Sequence, residues 1–569
     1  MELSPKKISR MGGTWIVDFG QNMVGHVRLS GVGSAGDQVE IQHGEMLNPD
    51  GTVYNENLRQ AISLDEFTFA GTGKIETFEP HFTFHGFRYA QITGYPGELT
   101  ADNIRGIVVG SDMTDTGTII TSNADVNQLV SNIRWGQRGN FLSIPTDCPQ
   151  RDERMGWMGD AQVFAPTAAY NADVSSFFTK WMVDVNDGQL ADGPRAGAFC
   201  VTSPRVDSRA ADYPIWGDAG VIIPWVMYTT YGDRAFLEQN YDHMARWVDF
   251  NQRRSDNLLL TGGAGDNLAP INGDTSRGRA GSGGTNSTTA VLDTAYFAQS
   301  ARIVSQTAAI LGRTADAAKY DRLYHDISDA FVKAYVHEDG SMVAGTQSTY
   351  VVALSFGIIP NQLHDAVAKH LVDDVISKGH LSTGFVGVGF LNPTLTAVGR
   401  SDLAYQLLLT DTYPSWLFTV KQGATTVWER WDGYTPERGF QASSMNSFNH
   451  YSLGSIGKWL YSGAGGIGID EEHPGFKHFI LDPQFSTKFT SFKATFNSPY
   501  GLISSAWYVA SGRVSYEITV PPNTTATLTL PASGNDLMTA GAPAVRGENG
   551  TWTLAAGAYE FSFPASGIR

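Results

Sequence analysis

The sequence predicts a multidomain protein of mixed α and β class, in which a large helical domain lies between two β domains. Its 569 residues, 42% of them hydrophobic, are enough for about two to four buried cores rather than one. Apolar and polar residues alternate near both ends of the chain, whereas apolar residues recur with a helical period through its middle. The order β, α, β follows from these observations.

The first β domain is predicted over residues 1–115. Trp15–Phe19 forms an apolar strand, and further along Val39 and Ile41 alternate with polar residues, as in a half-buried strand. The glycine-rich turn GVGSAGD, residues 31–37, separates the two segments. This alternation continues to the end of the predicted domain.

The helical domain is predicted over residues 116–465. Its first helix carries an apolar stripe from Val126 to Ile133 and begins behind the capping candidate Asn123. The same period predicts helices after Asp173 and over residues 233–250, 290–311, 314–336, 361–377 and 400–409. Long segments rich in glycine and proline join them, and such segments are uncommon unless they carry function. A ring of paired helices with its loops gathered at one mouth suits this pattern.

The second β domain is predicted over residues 466–569. Its clearest strands alternate at Val514, Tyr516, Ile518 and Val520, and again from Tyr559 to Phe563.

Charge and composition exclude several classes of function. A net charge of −17 with a pI near 5.2 argues against a nucleic-acid surface, which needs clustered Lys and Arg. The two cysteines, Cys148 and Cys200, make neither a disulfide framework nor a zinc spacing, so we expect no metal and no required disulfide bridge. No apolar run is long enough to cross a bilayer, and residues 1–11 lack the apolar core of a signal peptide. We expect a soluble monomer or homodimer without a membrane partner.

Localisation is only weakly indicated by the sequence. Asn286, Asn523 and Asn549 each open an N-x-[ST] sequon, which favours secretion slightly over a cytoplasmic location.

The segment DCPQRDERMGWMGD, residues 147–160, concentrates acids, arginines and a tryptophan. Cleavage of a glycosidic bond needs one protonated and one ionised carboxyl group, and Glu153 lies among other acids that would raise one another's pKa. Arg151 and Arg154 would hold other carboxyl groups in this segment ionised. Trp157 offers an apolar face to a sugar ring, and Asp160 falls where a helix should begin. The alternative is a surface ion-pair loop with one anchoring tryptophan, the more common case on residue types alone.

Three later segments repeat this composition and favour a sugar site. In GATTVWERWDGY, residues 423–434, Glu429 lies between Trp428 and Trp431. The segment SFNHYSLGS, residues 447–455, contains His450, and DYPIWGDAG, residues 212–220, adds Trp216 and Asp218. Aromatic rings that stack on sugars and carboxylates that bind hydroxyls are typical of carbohydrate pockets.

In their order and amino-acid sequence these motifs resemble those of the α-L-rhamnosidases of glycoside hydrolase family 78. The similar motifs are D-C-P-Q-R-D-E-R-x-G-W-x-G-D, W-G-D-A, P-S-W at Pro414–Trp416, G-A-T-T-x-W-E and N-H-Y-x-x-G-S. Upstream, VDFGQNMVGHV and NLRQA resemble the β-sandwich that precedes the catalytic domain in this family. The resemblance runs from about Trp15 to Pro483, and a motif of this length is far more specific than a short glycine pattern.

The resemblance implies an (α/α)6 barrel flanked by N-terminal and C-terminal β-sandwich domains. It also implies exo-acting hydrolysis that releases terminal α-L-rhamnose with inversion and needs no cofactor. By resemblance, Glu153 is the general acid and Glu429 the general base, with the carboxyl groups about 6.5–9.5 Å apart to leave room for water. The residues implied to bind the sugar are Asp147, Arg151, Trp157, Asp160, Trp216 and His450.

For several residues of these motifs a purely structural role is the alternative to sugar binding. Arg151 could only orient the acids, Trp431 fits a pocket wall or the core better than a ligand contact, and His450 could be a satisfied core histidine. Cys148 is expected to pack as a small buried group.

The sequence departs from the family pattern at AGDNLAP. Asn267 stands where the family usually has a sugar-stacking aromatic residue, and an amide there could bond hydroxyls instead. Just downstream, Arg277 and Arg279 could meet a carboxylate on the group next to rhamnose, such as a uronic acid, although a solvated loop is the alternative.

The sequence therefore predicts an inverting exo-α-L-rhamnosidase that acts on rhamnose-containing glycosides or polysaccharides. Two other functions stay open: a glycosidase of the same barrel for another sugar, which Asn267 could admit, and a carbohydrate-binding protein without turnover.

Overall fold

The computed structural model describes residues 1–206, 211–270, 286–531, 538–547 and 550–568. Within these ranges a β domain is followed by a helical domain and then by a second β domain, which confirms the predicted fold class. The first β domain has an apolar core of its own, around Val17, Ile41 and Phe87. The other two domains share one continuous core.

The N-terminal domain is a single antiparallel sheet built around one long strand. Its strands are β1 (Glu2–Leu3), β2 (Lys7–Met11), β3 (Thr14–Gly31), β4 (Gln38–Gly44), β5 (Leu64–Thr68), β6 (Glu76–Phe78), β7 (His85–Thr93) and β8 (Ile104–Val108). The first half of β3 pairs with β2, and its second half pairs with β8 and β6. Strand β4 has the predicted alternation, because Val39 and Ile41 are buried while Glu40 is exposed.

The middle of the chain is mostly helical. Strand β9 (Gly117–Thr121) precedes α1 (Ala124–Asn140), β10 (Phe141–Leu142), β11 (Ile144–Pro145), α2 (Met158–Asn171), α3 (Ser175–Asp187), α4 (Ala219–Tyr231), α5 (Arg234–Arg254), α6 (Asn286–Ile310), α7 (Thr314–Tyr335), α8 (Gln347–Ser355), α9 (Asn361–Lys378), α10 (Phe385–Ala397), α11 (Ser401–Leu409), α12 (Trp416–Lys421), β12 (Tyr434–Thr435), β13 (Gly439–Phe440) and α13 (Gly457–Trp459). Successive helices pack as pairs, for example α4 on α5 and α6 on α7. The Asn123 side chain caps α1 as predicted, accepting from the backbone N–H groups of Asp125 and Val126.

The helices predicted from periodicity are present, and helices that the periodicity did not identify lie among them. Three of these, α4, α8 and α10, are buried on nearly all sides, so their sequences lack the polar face that marks an amphipathic helix. Two of them also contain a proline, Pro224 and Pro393, a residue that normally argues against a helix.

The C-terminal domain consists of two facing sheets. Its strands are β14 (Ile467–Ile469), β15 (His478–Leu481), β16 (Ser491–Ser498), β17 (Gly501–Ala510), β18 (Arg513–Val520), β19 (Thr525–Thr529), β20 (Met538–Gly541), β21 (Ala544–Arg546), β22 (Thr551–Leu554) and β23 (Gly557–Pro564). One sheet runs β14-β15-β19-β22-β21 and the other β20-β23-β18-β17-β16-β9. The last strand of the second sheet, β9, lies on the helical side of the boundary predicted at residue 115.

No helix in the part of the chain that the structure describes is long and apolar enough to cross a membrane.

Candidate active site

The Arg151 side chain lies at the centre of the predicted site and joins the two predicted catalytic glutamates. Its Nη1 and Nη2 donate to the two carboxylate oxygens of Glu429 at 2.8 and 3.0 Å. Its Nε and Nη2 lie 2.9 and 2.7 Å from Oε2 of Glu153. Only 1% of the Arg151 side chain is exposed, so these contacts form away from bulk water. Two glutamates far apart in the chain thus share one guanidinium group, and Arg151 itself lies 278 positions from Glu429.

The segment 147–160 folds back on itself around Asp147. The Asp147 N–H donates to the Met155 carbonyl at 2.9 Å, and the Met155 N–H donates to Oδ1 of Asp147 at 3.1 Å. Burial raises the pKa of Asp147 well above its usual range, and the charge of Glu153 adds to this rise. This is the mutual effect of neighbouring acids that the sequence predicted. Cys148 is buried beside Asp147, in agreement with the expectation that it packs as a small group.

Glu153 is held from three sides by donor groups. Besides Arg151, the Trp157 indole Nε1 donates to Oε1 at 3.0 Å, and Nη1 of Arg59 lies 3.0 Å from Oε2. The Glu153 side chain is 14% exposed, whereas that of Glu429 is 3% exposed. Of the two predicted catalytic glutamates, Glu153 is therefore the one that solvent reaches more easily.

Arg154 does not hold a carboxyl group of the motif, so this part of the sequence prediction was wrong. Its Nη2 donates to the Phe84 carbonyl at 2.9 Å, and its guanidinium lies over the Phe84 ring at 4.1 Å. The positive φ of 52° at Arg154 turns the chain between its neighbours, and the side chain extends to the N-terminal domain. Arg59, from that domain, takes the place expected of Arg154.

Glu429 is fixed by the two tryptophans that flank it and by the backbone. Trp428 packs edge-on against Phe448, while the Trp431 Nε1 donates to the Thr383 carbonyl at 3.0 Å, so both rings are buried anchors. The Ser447 N–H donates to Oε2 of Glu429 at 2.7 Å. Burial by itself raises the pKa of Glu429, but the Arg151 guanidinium, with His450 and the Ser447 N–H, outweighs it and lowers this pKa to about 2.

Asp160 and His450 form a second buried pair beside the glutamates. Asp160 lies in the first turn of α2, as predicted, 3.3 Å from Nε2 of His450, and its Oδ1 accepts from the Ser452 hydroxyl at 3.1 Å. Burial raises the pKa of Asp160 to about 7 and lowers that of His450 to about 4. Nδ1 of His450 is buried and has no hydrogen-bond partner among the residues that the structure describes, and the His450 ring lies 5.0 Å from that of Phe385.

Of the third cluster, Trp216 lies near the site, whereas Asp218 serves the fold. The Trp216 ring packs directly on Gly159, where a Cβ would overlap it, and the described residues provide no hydrogen-bond partner for its buried Nε1. Asp218 accepts from the Trp247 indole and the Ser300 hydroxyl at 2.7 and 2.5 Å, which ties three helical segments together.

Asn267 reaches the site region through its backbone. Its carbonyl accepts from the Phe385 N–H at 2.9 Å, at the start of α10, and Phe385 packs on His450. The preceding Asp266 is buried and accepts from the Gly384 and Val386 N–H groups, so it caps the same helix. Arg277 and Arg279 lie outside the described residues.

Two groups of side chains in the described part of the chain have ligand atoms close enough together for a metal ion. In the first, Asp147, Cys148 and Glu153, the Arg151 guanidinium already contacts both carboxylates, at 3.7 and 2.7 Å. In the second, His43, Asp65 and His85 of the N-terminal domain, the two imidazole rings stack at 4.1 Å with 22° between their planes. A ligating nitrogen binds in the plane of its ring, so one ion would not fit both rings in this arrangement.

Taken together, the side chains form a buried cluster suited to acid and base chemistry. It combines an ionised carboxylate, Glu429, with a second carboxyl group, Glu153, on the other side of one guanidinium. Such a pair can protonate a leaving oxygen and activate water, while Trp157, Trp216 and His450 offer apolar and hydrogen-bonding surface to a sugar.

Three successive segments of the chain match three domains of one known protein family. Residues 8–110 match the concanavalin-like domain of bacterial alpha-L-rhamnosidases, residues 114–464 match their 6 hairpin glycosidase domain, and residues 468–542 match their C-terminal domain.

Individual relatives give the same picture. An alpha-L-rhamnosidase of Streptomyces avermitilis is 43% identical over 537 residues, covering 94% of this chain and 50% of the relative. The crystal structure of a Streptomyces avermitilis alpha-L-rhamnosidase complexed with L-rhamnose superposes with a TM-score of 0.92 at 42% identity, covering 99% of this chain and 53% of that one. The Aspergillus terreus enzyme superposes with a TM-score of 0.91 at 32% identity, covering 99% and 63%. The chain spans about half the length of the curated relatives it matches.

Proposed function

Because this chain belongs to the bacterial α-L-rhamnosidase family, we propose that it is an exo-acting α-L-rhamnosidase that hydrolyses terminal α-L-rhamnose with inversion of the anomeric centre. The substrate is a rhamnose-containing glycoside or polysaccharide. The relatives named alpha-L-rhamnosidase and the structure complexed with L-rhamnose support this choice of sugar.

In the proposed reaction Glu153 protonates the leaving oxygen as the bond to rhamnose breaks through an oxocarbenium-like state. Glu429 removes a proton from the water that attacks the opposite face of the ring. A general base must be ionised before it acts, and the lowered pKa of Glu429, about 2, satisfies this requirement at neutral pH.

The single observation that carries the proposal is the contact of both glutamates with the Arg151 guanidinium. The buried Arg151 guanidinium donates to both oxygens of Glu429 and contacts Oε2 of Glu153, which fixes the orientation of both carboxylates and keeps the acid and base at a constant relative position. This favours an orienting role for Arg151 over direct contact with the sugar.

We assign the sugar-binding surface to Asp147, Trp157, Asp160, Trp216, Asn267 and His450. Within this set Asp147 closes the loop that carries Glu153, so its effect on the sugar is exerted through that loop. We assign hydrogen bonds to sugar hydroxyls to Nε1 of Trp216 and Nδ1 of His450, which have no partner within the described part of the chain.

The test of this function is the identity and anomeric form of the first sugar released. We expect 4-nitrophenyl α-L-rhamnoside to yield rhamnose whose initial anomer, followed by proton NMR, is β, because a single displacement inverts the centre. An initial α anomer would contradict inversion without affecting the choice of sugar.

A panel of nitrophenyl glycosides separates the two other functions. Faster release of another sugar would favour a glycosidase of the same fold whose pocket Asn267 has altered. Binding of rhamnose without any release would favour a carbohydrate-binding protein, for which two intact glutamates around one arginine would serve no purpose.

An acidic neighbour of the rhamnose is a further part of the proposal. If Arg277 meets a uronic acid, kcat/KM should be higher on rhamnosyl-glucuronate than on a neutral flavonoid rhamnoside, and Arg277→Ala should remove the difference. An Arg279→Ala variant is the matched comparison. Equal kcat/KM for both substrates, unchanged in Arg277→Ala, would eliminate this preference.

We further infer that the paired helices close into an (α/α)6 ring between the single-sheet N-terminal β domain and the C-terminal domain of two sheets, with boundaries near residues 115 and 465. We also propose that the protein is secreted and is a monomer or homodimer.

A further inference from the structure

We propose that Arg59, a residue of the N-terminal β domain, is a positioning residue for the proton donor Glu153. The inference rests on the proposed function, because it gives Arg59 a role in the same reaction. It means that the N-terminal domain completes the active site of the helical domain.

Arg59 connects the two segments that carry the glutamates. Its Nη1 lies 3.0 Å from Oε2 of Glu153, and its Nε donates at 2.8 Å to the carbonyl of Ser444, which lies between Glu429 and His450 in the chain. The same Nη1 is 3.9 Å from Oδ1 of Asp152, which is too far for a hydrogen bond. Glu153 is therefore the carboxylate that Arg59 engages.

The backbone at Arg59 is held in place by buried contacts with the helical domain. Arg59 follows the 3₁₀ turn Glu56–Leu58 and has a positive φ of 58°, a conformation that costs energy for a residue other than glycine. Asn57, in the turn, donates to the Asn446 carbonyl at 3.0 Å and to Oε2 of the buried Glu45 at 3.1 Å. The Phe448 N–H donates to that same oxygen at 3.1 Å, which joins the turn to the segment following Glu429.

The position of Arg59 suits control of proton donation. Arg59 and Arg151 both contact Oε2 of Glu153, whereas Oε1 accepts only the neutral indole N–H of Trp157 among its hydrogen bonds in the described residues. This leaves Oε1 to carry the proton that is passed to the leaving oxygen. When that proton departs, the negative charge that develops on Glu153 is stabilised by a guanidinium already in place.

The contact also distinguishes Arg59 from a merely structural interdomain residue. Its side chain is 26% exposed, so water and the leaving group can reach the neighbourhood of Glu153 from the Arg59 side. Arg154 also makes an arginine contact between the domains, through Phe84, and its hydrogen bond and ring contact there involve no glutamate. Arg154 is thus a matched control for the loss of an interdomain arginine.

The test compares substrates that differ only in their need for a proton donor. Methyl α-L-rhamnoside has a poor leaving group that must be protonated, whereas 2,4-dinitrophenyl α-L-rhamnoside departs without help. We expect Arg59→Met to lower kcat on the methyl glycoside about tenfold or more, while kcat on the dinitrophenyl glycoside changes less than about threefold. Arg59→Lys should recover part of the loss on the methyl glycoside, because it restores the positive charge.

The controls separate failure of this inference from failure of the proposed function. Arg154→Met should affect both substrates equally and by less than about threefold, and circular dichroism should show that the variants remain folded. An equal loss on both substrates in Arg59→Met, or no loss on either, would overturn the role of Arg59 while leaving the rhamnosidase function intact. Wild-type protein that releases no rhamnose would instead overturn the function on which the inference rests.

Discussion

Replacing Glu429 with glutamine is expected to lower kcat by at least about 100-fold on every rhamnoside, because the attacking water loses the base that takes its proton. The change is nearly isosteric, and the amide oxygen can still accept from Arg151 or from the Ser447 N–H. The measurement is kcat on both methyl and 2,4-dinitrophenyl α-L-rhamnoside, together with circular dichroism to verify folding. Turnover close to that of the wild type would remove the base role from Glu429.

Glu153→Gln should give a different pattern. It is expected to cost at least about 100-fold in kcat on the methyl glycoside, whereas much of the rate on the dinitrophenyl glycoside should survive, because that leaving group needs no proton. Asp152→Asn is the matched control, since this neighbouring carboxylate is 35% exposed and its ion-pair contact is the 3.9 Å approach of Arg59. It should change both rates less than about threefold.

Replacing Arg151 with methionine is expected to destabilise the protein by about 3–5 kcal/mol at neutral pH, since it leaves buried carboxylates without their cation. Glu429 is the clearest case, because its side chain is 3% exposed and Arg151 is the principal group that keeps its pKa low. Denaturant or thermal unfolding would measure the loss. Arg154→Met, which removes an arginine of the same loop that pairs with Phe84, should cost much less.

The pH dependence of this loss has a definite sign. In the wild type the pKa of Glu429 is lowered from 4.5 to about 2, so its stabilising contribution is complete above pH 4.5 and is lost as the pH falls towards 2. Without Arg151, burial dominates and raises this pKa, so at neutral pH the ionised Glu429 destabilises the variant. The difference in stability should therefore be largest near neutral pH and should narrow below about pH 4.5. A difference that stays constant as the pH falls from 4.5 towards 2 would show that the lost charge pair is not its cause.

Local sequence predicted the elements whose residues carry a visible period. Strand β4 and helix α1 each have one buried and one exposed side, so the alternation or the helical stripe is written in neighbouring residues. The inner helices α4 and α10 are buried almost all round, so their sequences show no polar face from which a helix could be identified. Strand β9 was not predicted either. Its partner β16 is about 370 residues away in sequence, and only the tertiary fold brings the two strands together.

The candidate site likewise has residues that local sequence identifies and contacts that it does not. The motifs marked Glu153, Glu429 and their aromatic neighbours, because residue types and spacing within one segment can be read directly. Which arginine holds Glu153 could not be read: Arg154 is its immediate neighbour yet contacts Phe84, and Arg59 comes from another domain. NLRQA resembles a family motif, but nothing in those five residues indicates a contact with a carboxylate nearly 100 residues later in the chain.

By itself the sequence determined the order of the domains, the amphipathic elements and the chemical character of the pocket, because these depend on residues close together in the chain. Only the tertiary structure decided which charges meet, since a buried carboxylate takes its partner from whatever the fold places within hydrogen-bond distance. Arg151 lies between two glutamates, and Arg59 against one of them, for that reason: burial makes an unpaired charge costly, and the packing of three domains supplies the groups that remove the cost.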